Sequence, residues 1–195
     1  NIKKFIFLGS SCIYPKFAKQ PIKEEYLLSG PLEVTNQWYA IAKISGVKLI
    51  EALKKQYKRE YVALMPTNLY GPNDNYNLET SHVLPALIRK FHEAKILNKN
   101  VVKLWGSGEP LREFLFVDDL ANVIKYFIEN KPKDSYINVG SSSEISISEL
   151  SILIKKIVGY SGKVLWDKKM PNGTPRKLLD SSKMTKYGLK PMVSL

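Results

Sequence analysis

Tyr39 and Lys43 stand four residues apart, and on a helix they would share one face. An ammonium beside a phenol favours the phenolate, which suits the phenol to proton transfer near neutral pH. Spacing alone is weak ground, because 11 tyrosines and 26 lysines make such pairs near chance in 195 residues. Tyr39 is nevertheless the only tyrosine with a lysine four positions later. Ser10 ends an apolar run, where open-sheet proteins present ligand-facing groups, and its hydroxyl could help a phenol polarise a carbonyl oxygen. Pro66-Thr67-Asn68-Leu69-Tyr70-Gly71-Pro72 leaves the next apolar run at the corresponding end. Taken alone, Cys12 reads as a small buried hydrophobe, and His82 as a cap or core-edge residue beside a helix start, with Ser81 as N-cap.

The elements that must position these groups follow from periodicity. Lys3 to Leu8 predicts a buried strand running into Gly9-Ser10-Ser11, and a polar, Pro-punctuated stretch follows from Pro15 to Glu33. From Trp38 to about Tyr57, Trp38, Ile41, Ala42, Leu49, Ile50 and Leu53 recur at helical spacing. Tyr61 to Met65, closed by Pro66, predicts the second strand. Strand, helix and strand in that order predict an α/β fold. The expected form is a partial Rossmann-like, doubly wound parallel sheet with a smaller mixed α/β C-terminal substrate region. Further on, a helix is expected from His82 to about Ala94, a strand from Val101 to Trp105, and a helix from Asp118 or Asp119 toward Glu129. Tyr136 to Val139 and the region near Val164 predict strands, Ser148 to Val158 a helix, and Met170 to Pro175 turns.

Composition narrows the function classes. The net charge of +12 invites a nucleic-acid partner, yet the charges are spread along the chain and all but four of the 30 cations are lysine. A solvated surface explains them, and a small anion such as a phosphate remains compatible. One cysteine excludes an intrachain disulfide and fits a reducing, cytoplasmic setting. No apolar run reaches membrane-spanning length, and no signal peptide is recognisable. Two histidines and one cysteine, widely spaced, make a poor zinc site, so no metal is expected. A dinucleotide-binding sheet should open with strand, glycine-rich turn and helix. Here Gly9 is isolated and Gly106-Ser107-Gly108 lacks a third glycine.

The assembled Ser/Tyr/Lys pattern resembles the extended short-chain dehydrogenase/reductase family, whose members act largely on nucleotide-linked sugars. Longer stretches resemble its GDP-L-fucose synthase branch. They are Gly9-Ser10-Ser11-Cys12-Ile13-Tyr14-Pro15, Pro21-Ile22-Lys23-Glu24, Trp38-Tyr39-Ala40-Ile41-Ala42-Lys43, and Met65 through Pro72. Ser81 through His92, Arg112-Glu113-Phe114 with Val117-Asp118-Asp119, and Gly173 through Asp180 extend the likeness over essentially the whole chain.

That resemblance implies NADP, with NADPH as hydride donor, and GDP-4-dehydro-6-deoxy-D-mannose as the substrate of 3,5-epimerisation and 4-reduction. Ser10, Tyr39 and Lys43 would be the reductase triad, and Cys12 and His82 the acid/base pair for inversion. Ser10, Tyr39, Lys43, Pro66, Thr67, Asn68, Leu69 and His82 would border the cofactor. Asn68, Arg89, Lys90, Trp105, Arg112 and Lys177 would face the substrate, arginine gripping phosphate in a bidentate way. Trp105 reads equally as core. The implied domains are residues 1–80, the C-terminal part of the Rossmann domain, and 81–195, mainly substrate-binding, with 114–140 returning to the first. A homodimer is implied, with neither nucleic-acid nor membrane partners. Asn1 in place of Met, the missing glycine fingerprint and the stop at Leu195 together predict a fragment lacking the N-terminal cofactor-binding part. Such a fragment is expected to bind NADPH poorly. Two other readings stay open: a different nucleotide-sugar epimerase, reductase or dehydratase, or a noncatalytic basic interaction module.

Overall fold

The computed structural model describes residues 2–195. In chain order its strands and α-helices are β1 (Lys4–Leu8), α1 (Gln37–Tyr57), β2 (Glu60–Pro66), β3 (Asn68–Tyr70), α2 (Val83–Ile96), β4 (Val101–Trp105) and β5 (Leu111–Phe116). There follow α3 (Val117–Glu129), β6 (Tyr136–Val139), β7 (Glu144–Ser146), α4 (Ile147–Val158), β8 (Lys163–Asp167), β9 (Arg176–Lys177) and α5 (Ser182–Lys186). Three 3-10 turns, at Ser11–Ile13, Glu24–Tyr26 and Val34–Asn36, occupy the Pro-punctuated stretch and its borders. The chain divides into two units. One takes in the residues up to Leu69, Glu113–Glu144 and Lys177–Leu195; the other takes in Tyr70–Arg112 and Ile145–Arg176.

In the first unit β2 is the middle strand of a parallel sheet ordered β1–β2–β6. Its continuous apolar run suits a strand covered on both faces. Alternate side chains divide between two cores. Ala63 and Met65 pack with Ile44, Val47 and Ile50 of α1, whereas Val62 and Leu64 pack with Leu120, Val123 and Phe127 of α3. A helix on each face is the doubly wound arrangement read from the strand–helix–strand order. Pro66 pairs with Val139 at the end of the β2–β6 ladder.

Helix α1 approaches the sheet through a glycine. A Cβ at Gly46 would run into the ring of Phe7, so only a residue without a side chain lets helix and strand close. The face of α1 turned inward is Ala40, Ile44, Val47 and Ile50. Trp38, Ile41 and Leu49, grouped with Ile50 by periodicity, lie outward at 76%, 47% and 58% exposure. Helical spacing finds the helix, but apolar residues on both sides hide which stripe meets the sheet.

In the second unit β4 pairs in parallel with β8, from Val101 opposite Lys163 to Trp105 opposite Asp167. The alternation of β4 buries Val102 and Leu104. Helix α4 carries signals at both ends: Ser146 and Glu149 form a capping box, and Gly159 closes the helix at φ 72°. Phe91 of α2 meets Tyr160 with ring centroids 5.7 Å apart.

A further small sheet runs β3–β5–β7, with β9 on β5. Its short strands carry few apolar alternations, which is why residues 66–72 read as loop. The start of α3 and the cap of α2 differ from expectation. Helix α3 starts at Val117 after Phe116, with no side-chain cap, and Asp119 instead accepts hydrogen bonds from the backbone N–H groups of Met192 (3.0 Å) and Val193 (3.2 Å). Helix α2 is capped at His82 rather than Ser81, again without a side-chain hydrogen bond. No helix among the described residues is long and apolar enough to cross a membrane.

Candidate active site

Within the first unit the carboxyl end of β1 gathers the residues singled out for reduction. Ser10 caps the turn that follows it, its Oγ accepting from the Cys12 N–H at 3.1 Å. That use takes one lone pair and leaves the hydroxyl proton available for donation. Lys43 donates from Nζ to the Leu8 carbonyl at 2.8 Å, two residues before Ser10. The same ammonium lies 5.7 Å from the centroid of the Tyr39 ring and 5.2 Å from that of Phe7. One helical turn separates Tyr39 from Lys43, and the strand-end carbonyl fixes where the ammonium points. Tyr39 is 46% exposed as a residue. An exposed phenol next to an anchored ammonium, at the end of a parallel strand, can give and retake a proton.

Cys12 lies on the turn itself and is half-buried. Lys177 donates from Nζ to its Sγ at 3.3 Å, bringing together residues 165 positions apart. The sequence placed Lys177 only on the substrate side; no motif spacing joins it to Cys12. Thr67 and Asn68, just beyond β2, are both anchored to the Glu113 carbonyl, Thr67 through Oγ1 at 3.2 Å and Asn68 through Nδ2 at 2.8 Å. Pro66 ends β2 and Leu69 packs against the α3-side core.

Beneath this surface runs a buried polar network. Tyr14 donates to Asn138 Oδ1 at 2.6 Å, and Asn138 donates from Nδ2 to the carbonyls of Ile22 and Asp180. The backbone N–H of Asn138 is bound by Glu24 Oε1 at 2.9 Å. Burial pushes the Tyr14 hydroxyl and the Glu24 carboxyl up from their ordinary values. These groups tie the Pro-punctuated stretch to β6, and the sequence offered no signal for them beyond the Pro-Ile-Lys-Glu motif.

The second unit holds the remaining candidates. His82 is exposed and, free of a capping bond, keeps its ring for other use. Arg89 donates from Nε to Glu93 at 2.6 Å and from Nη1 to the Tyr76 carbonyl at 3.0 Å, so its guanidinium is partly committed within its own unit. Lys90 sits 5.4 Å over the Trp105 ring, and burial pushes its ammonium below the ordinary value. Trp105 is 63% exposed, which removes the core reading of this residue. Arg112 donates from Nη1 to the Leu111 carbonyl at 2.8 Å and stands against the turn at Gly173, whose φ is 70°. Among the described residues no group of three His, Cys, Asp or Glu side chains is placed to hold a metal ion.

Comparison with known proteins gives this geometry its relatives. The chain is 56% identical over 195 residues to "Probable GDP-L-fucose synthase 1" of Oryza sativa subsp. japonica, covering all of this chain and 60% of that protein. Among solved structures, a GDP-6-OMe-4-keto-L-xylo-heptose reductase from C. jejuni superposes with a TM-score of 0.94 at 35% identity, over 100% of this chain and 67% of that one. A GDP-L-fucose synthetase from Naegleria fowleri bound to NADP gives a TM-score of 0.88 at 29% identity, over 98% and 62%. The chain thus spans about 60% of the length of the curated relatives it matches.

The sequence model described as the NAD dependent epimerase/dehydratase family matches residues 1–140, from the first residue onward. The expectation of a fragment lacking the N-terminal cofactor-binding part is thereby overturned, since the parallel strands β1, β2 and β6 lie within the match. That expectation rested on the missing glycine fingerprint, on Asn1 in place of Met and on the stop at Leu195, none of which bears on the strands that the family model matches. With most of its length matched by this model, and the strand-end geometry in place, the chain belongs to the NAD dependent epimerase/dehydratase family.

Proposed function

We propose that the chain carries NADPH-dependent 3,5-epimerisation and 4-reduction of GDP-4-dehydro-6-deoxy-D-mannose to GDP-L-fucose. The observation that carries this reading is the strand-end cluster: Lys43 anchored on Leu8 beside the open Tyr39 ring, with Cys12 on the adjoining turn under Lys177. Its family and its 56% identity to a probable GDP-L-fucose synthase support the choice of substrate. The residues present suit the cofactor, because Tyr39 is exposed beside an ammonium and Ser10 keeps a proton to donate. NADPH, when bound, supplies the hydride.

The C4 ketone acidifies the C–H bonds at C3 and C5. Cys12 and His82 act there in turn, one removing a proton and the other returning one to the opposite face. Ser10 donates to the C4 oxygen, and Tyr39 gives that oxygen its proton as the carbonyl is reduced. Lys43 offsets the negative charge left on Tyr39. Reduction removes the carbonyl, so epimerisation stops. Pro66, Thr67, Asn68 and Leu69 border the cofactor, with Asn68 also reaching the sugar. Arg89, Lys90, Trp105, Arg112 and Lys177 receive the GDP-sugar, the exposed Trp105 offering a face to the base. The first unit is then the nucleotide-binding half and the second the substrate half. The protein works as a homodimer in the cytoplasm, without nucleic-acid or membrane partners.

A C4 reductase that leaves C3 and C5 untouched is the second reading, favoured by the TM-score of 0.94 to the heptose reductase. Incubation of the protein with GDP-4-dehydro-6-deoxy-D-mannose and NADPH, with product identification by NMR, separates the two. GDP-L-fucose supports the proposal. A C4-reduced, unepimerised sugar establishes the second reading, and unchanged substrate with unoxidised NADPH refutes both.

A further inference from the structure

Glu113 is fully buried, lies outside the proposed acid/base groups, and makes contacts that no element of secondary structure requires. One carboxylate oxygen, Oε1, accepts from the Ser142 N–H at 2.8 Å, and the other, Oε2, accepts from the Leu179 N–H at 3.0 Å. Its backbone carbonyl accepts from Thr67 Oγ1 and Asn68 Nδ2. A single residue thus ties together the segment after β2, the turn after β6 and the segment that follows β9. The fit is close, since a Cβ at Gly140 would collide with Oε1. Burial pushes the carboxyl up from its ordinary value, while the backbone N–H donors pull the other way. Two N–H groups aimed at two oxygens call for acceptors on both sides, a demand that an amide meets on one side only.

Leu179 is two residues from Lys177, whose Nζ reaches Cys12 Sγ at 3.3 Å. Gln20 holds the intervening residue from the other side, its Oε1 accepting from the Leu178 N–H at 2.9 Å. We propose that Glu113 is a positioning residue of the epimerase half-site, holding the Lys177 segment so that its ammonium meets the Cys12 sulfur. This rests on the reading of Cys12 as an acid/base group, and it names the residue through which the fold controls that group. A charge-satisfied core glutamate without this role would stabilise the unit and leave Cys12 indifferent.

The test uses the fact that Cys12 is the only cysteine in the sequence. Alkylation of the native protein by iodoacetamide therefore reports one sulfur without any turnover. Alkylation proceeds through the anionic sulfur, and the group held against that sulfur is the Lys177 ammonium at 3.3 Å. Lys177→Met should slow alkylation about fivefold or more. Glu113→Gln should slow it in the same direction, and the double variant should be no slower than Lys177→Met alone. Tyr187→Phe, which removes a hydrogen bond to Asp134 elsewhere in the same unit, should leave the rate unchanged. Should Glu113→Gln fail to fold, Gly140→Ala displaces the carboxylate without removing it and should slow alkylation likewise. A folded Glu113→Gln with a rate equal to or above wild type overturns the proposal, as does a Glu113 effect that adds in full on top of Lys177→Met. Because no substrate is present, a failure here is separate from a failure of the proposed reaction.

Discussion

Single residues separate two chemistries that share one carbonyl. In the proposed reaction Tyr39 serves only the reduction, so Tyr39→Phe should lower NADPH oxidation about a hundredfold or more while C3/C5 proton exchange persists. Cys12→Ser should do the reverse, stalling exchange and leaving any C4 reduction of the unepimerised sugar. Rates of NADPH oxidation and of solvent-proton exchange, measured side by side, check both. The buried carboxylates predict a pH effect on stability. The carboxyl of Glu24 is raised by burial above its ordinary value of 4.5. A carboxyl with a raised folded value contributes stability that is full below its unfolded value and is lost as pH rises through the folded one. Melting temperatures taken from about pH 4 to 7 should therefore fall less steeply in Glu24→Gln than in wild type. Tyr39, Lys43, Ser10 and Cys12 were legible as types at spacings. The Lys177–Cys12 contact was not, because it depends on a segment 165 residues away that no local pattern reports.

At the scale of elements, legibility followed the strength of the local signal. Strand β4 and helices α1 and α4 stood out because their apolar residues recur at strand or helical spacing. Strands β3, β7 and β9 are three, three and two residues long, too short for any period to show, and β5 buries a glutamate. Two substitutions test the reasons given for elements that were found. Gly46→Ala should gain about 1 kcal/mol in helix propensity yet destabilise overall, because the methyl group meets Phe7. Overpacking of this kind costs about 1–3 kcal/mol, read from denaturant unfolding. Ser146→Ala removes the capping box of α4 and should cost about 1 kcal/mol in the same measurement.

At the scale of the whole molecule, the chain changes unit four times, after Leu69, Arg112, Glu144 and Arg176. Long-range pairing assembles each unit from stretches far apart in the chain. The basic charge has a surface explanation that the structure makes concrete: Lys54, Lys58, Arg59, Lys131 and Lys133 border one cavity of about 470 Å³ with Pro132, and Lys54 donates to the carbonyls of Pro132 and Asp134. Trp38, Ile41 and Leu49 of α1 are apolar and exposed, and we propose them as the contact face of the homodimer. Sedimentation should show a dimer that Leu49→Lys converts to monomer, and a wild-type monomer at micromolar concentration would remove this part of the proposal. The proposed function has one chain both invert and reduce the sugar, and deuterium tests it directly. Reaction in D2O with unlabelled NADPH should yield GDP-L-fucose carrying solvent deuterium at C3 and at C5 and none at C4. A product reduced at C4 with protium at both C3 and C5 would contradict it.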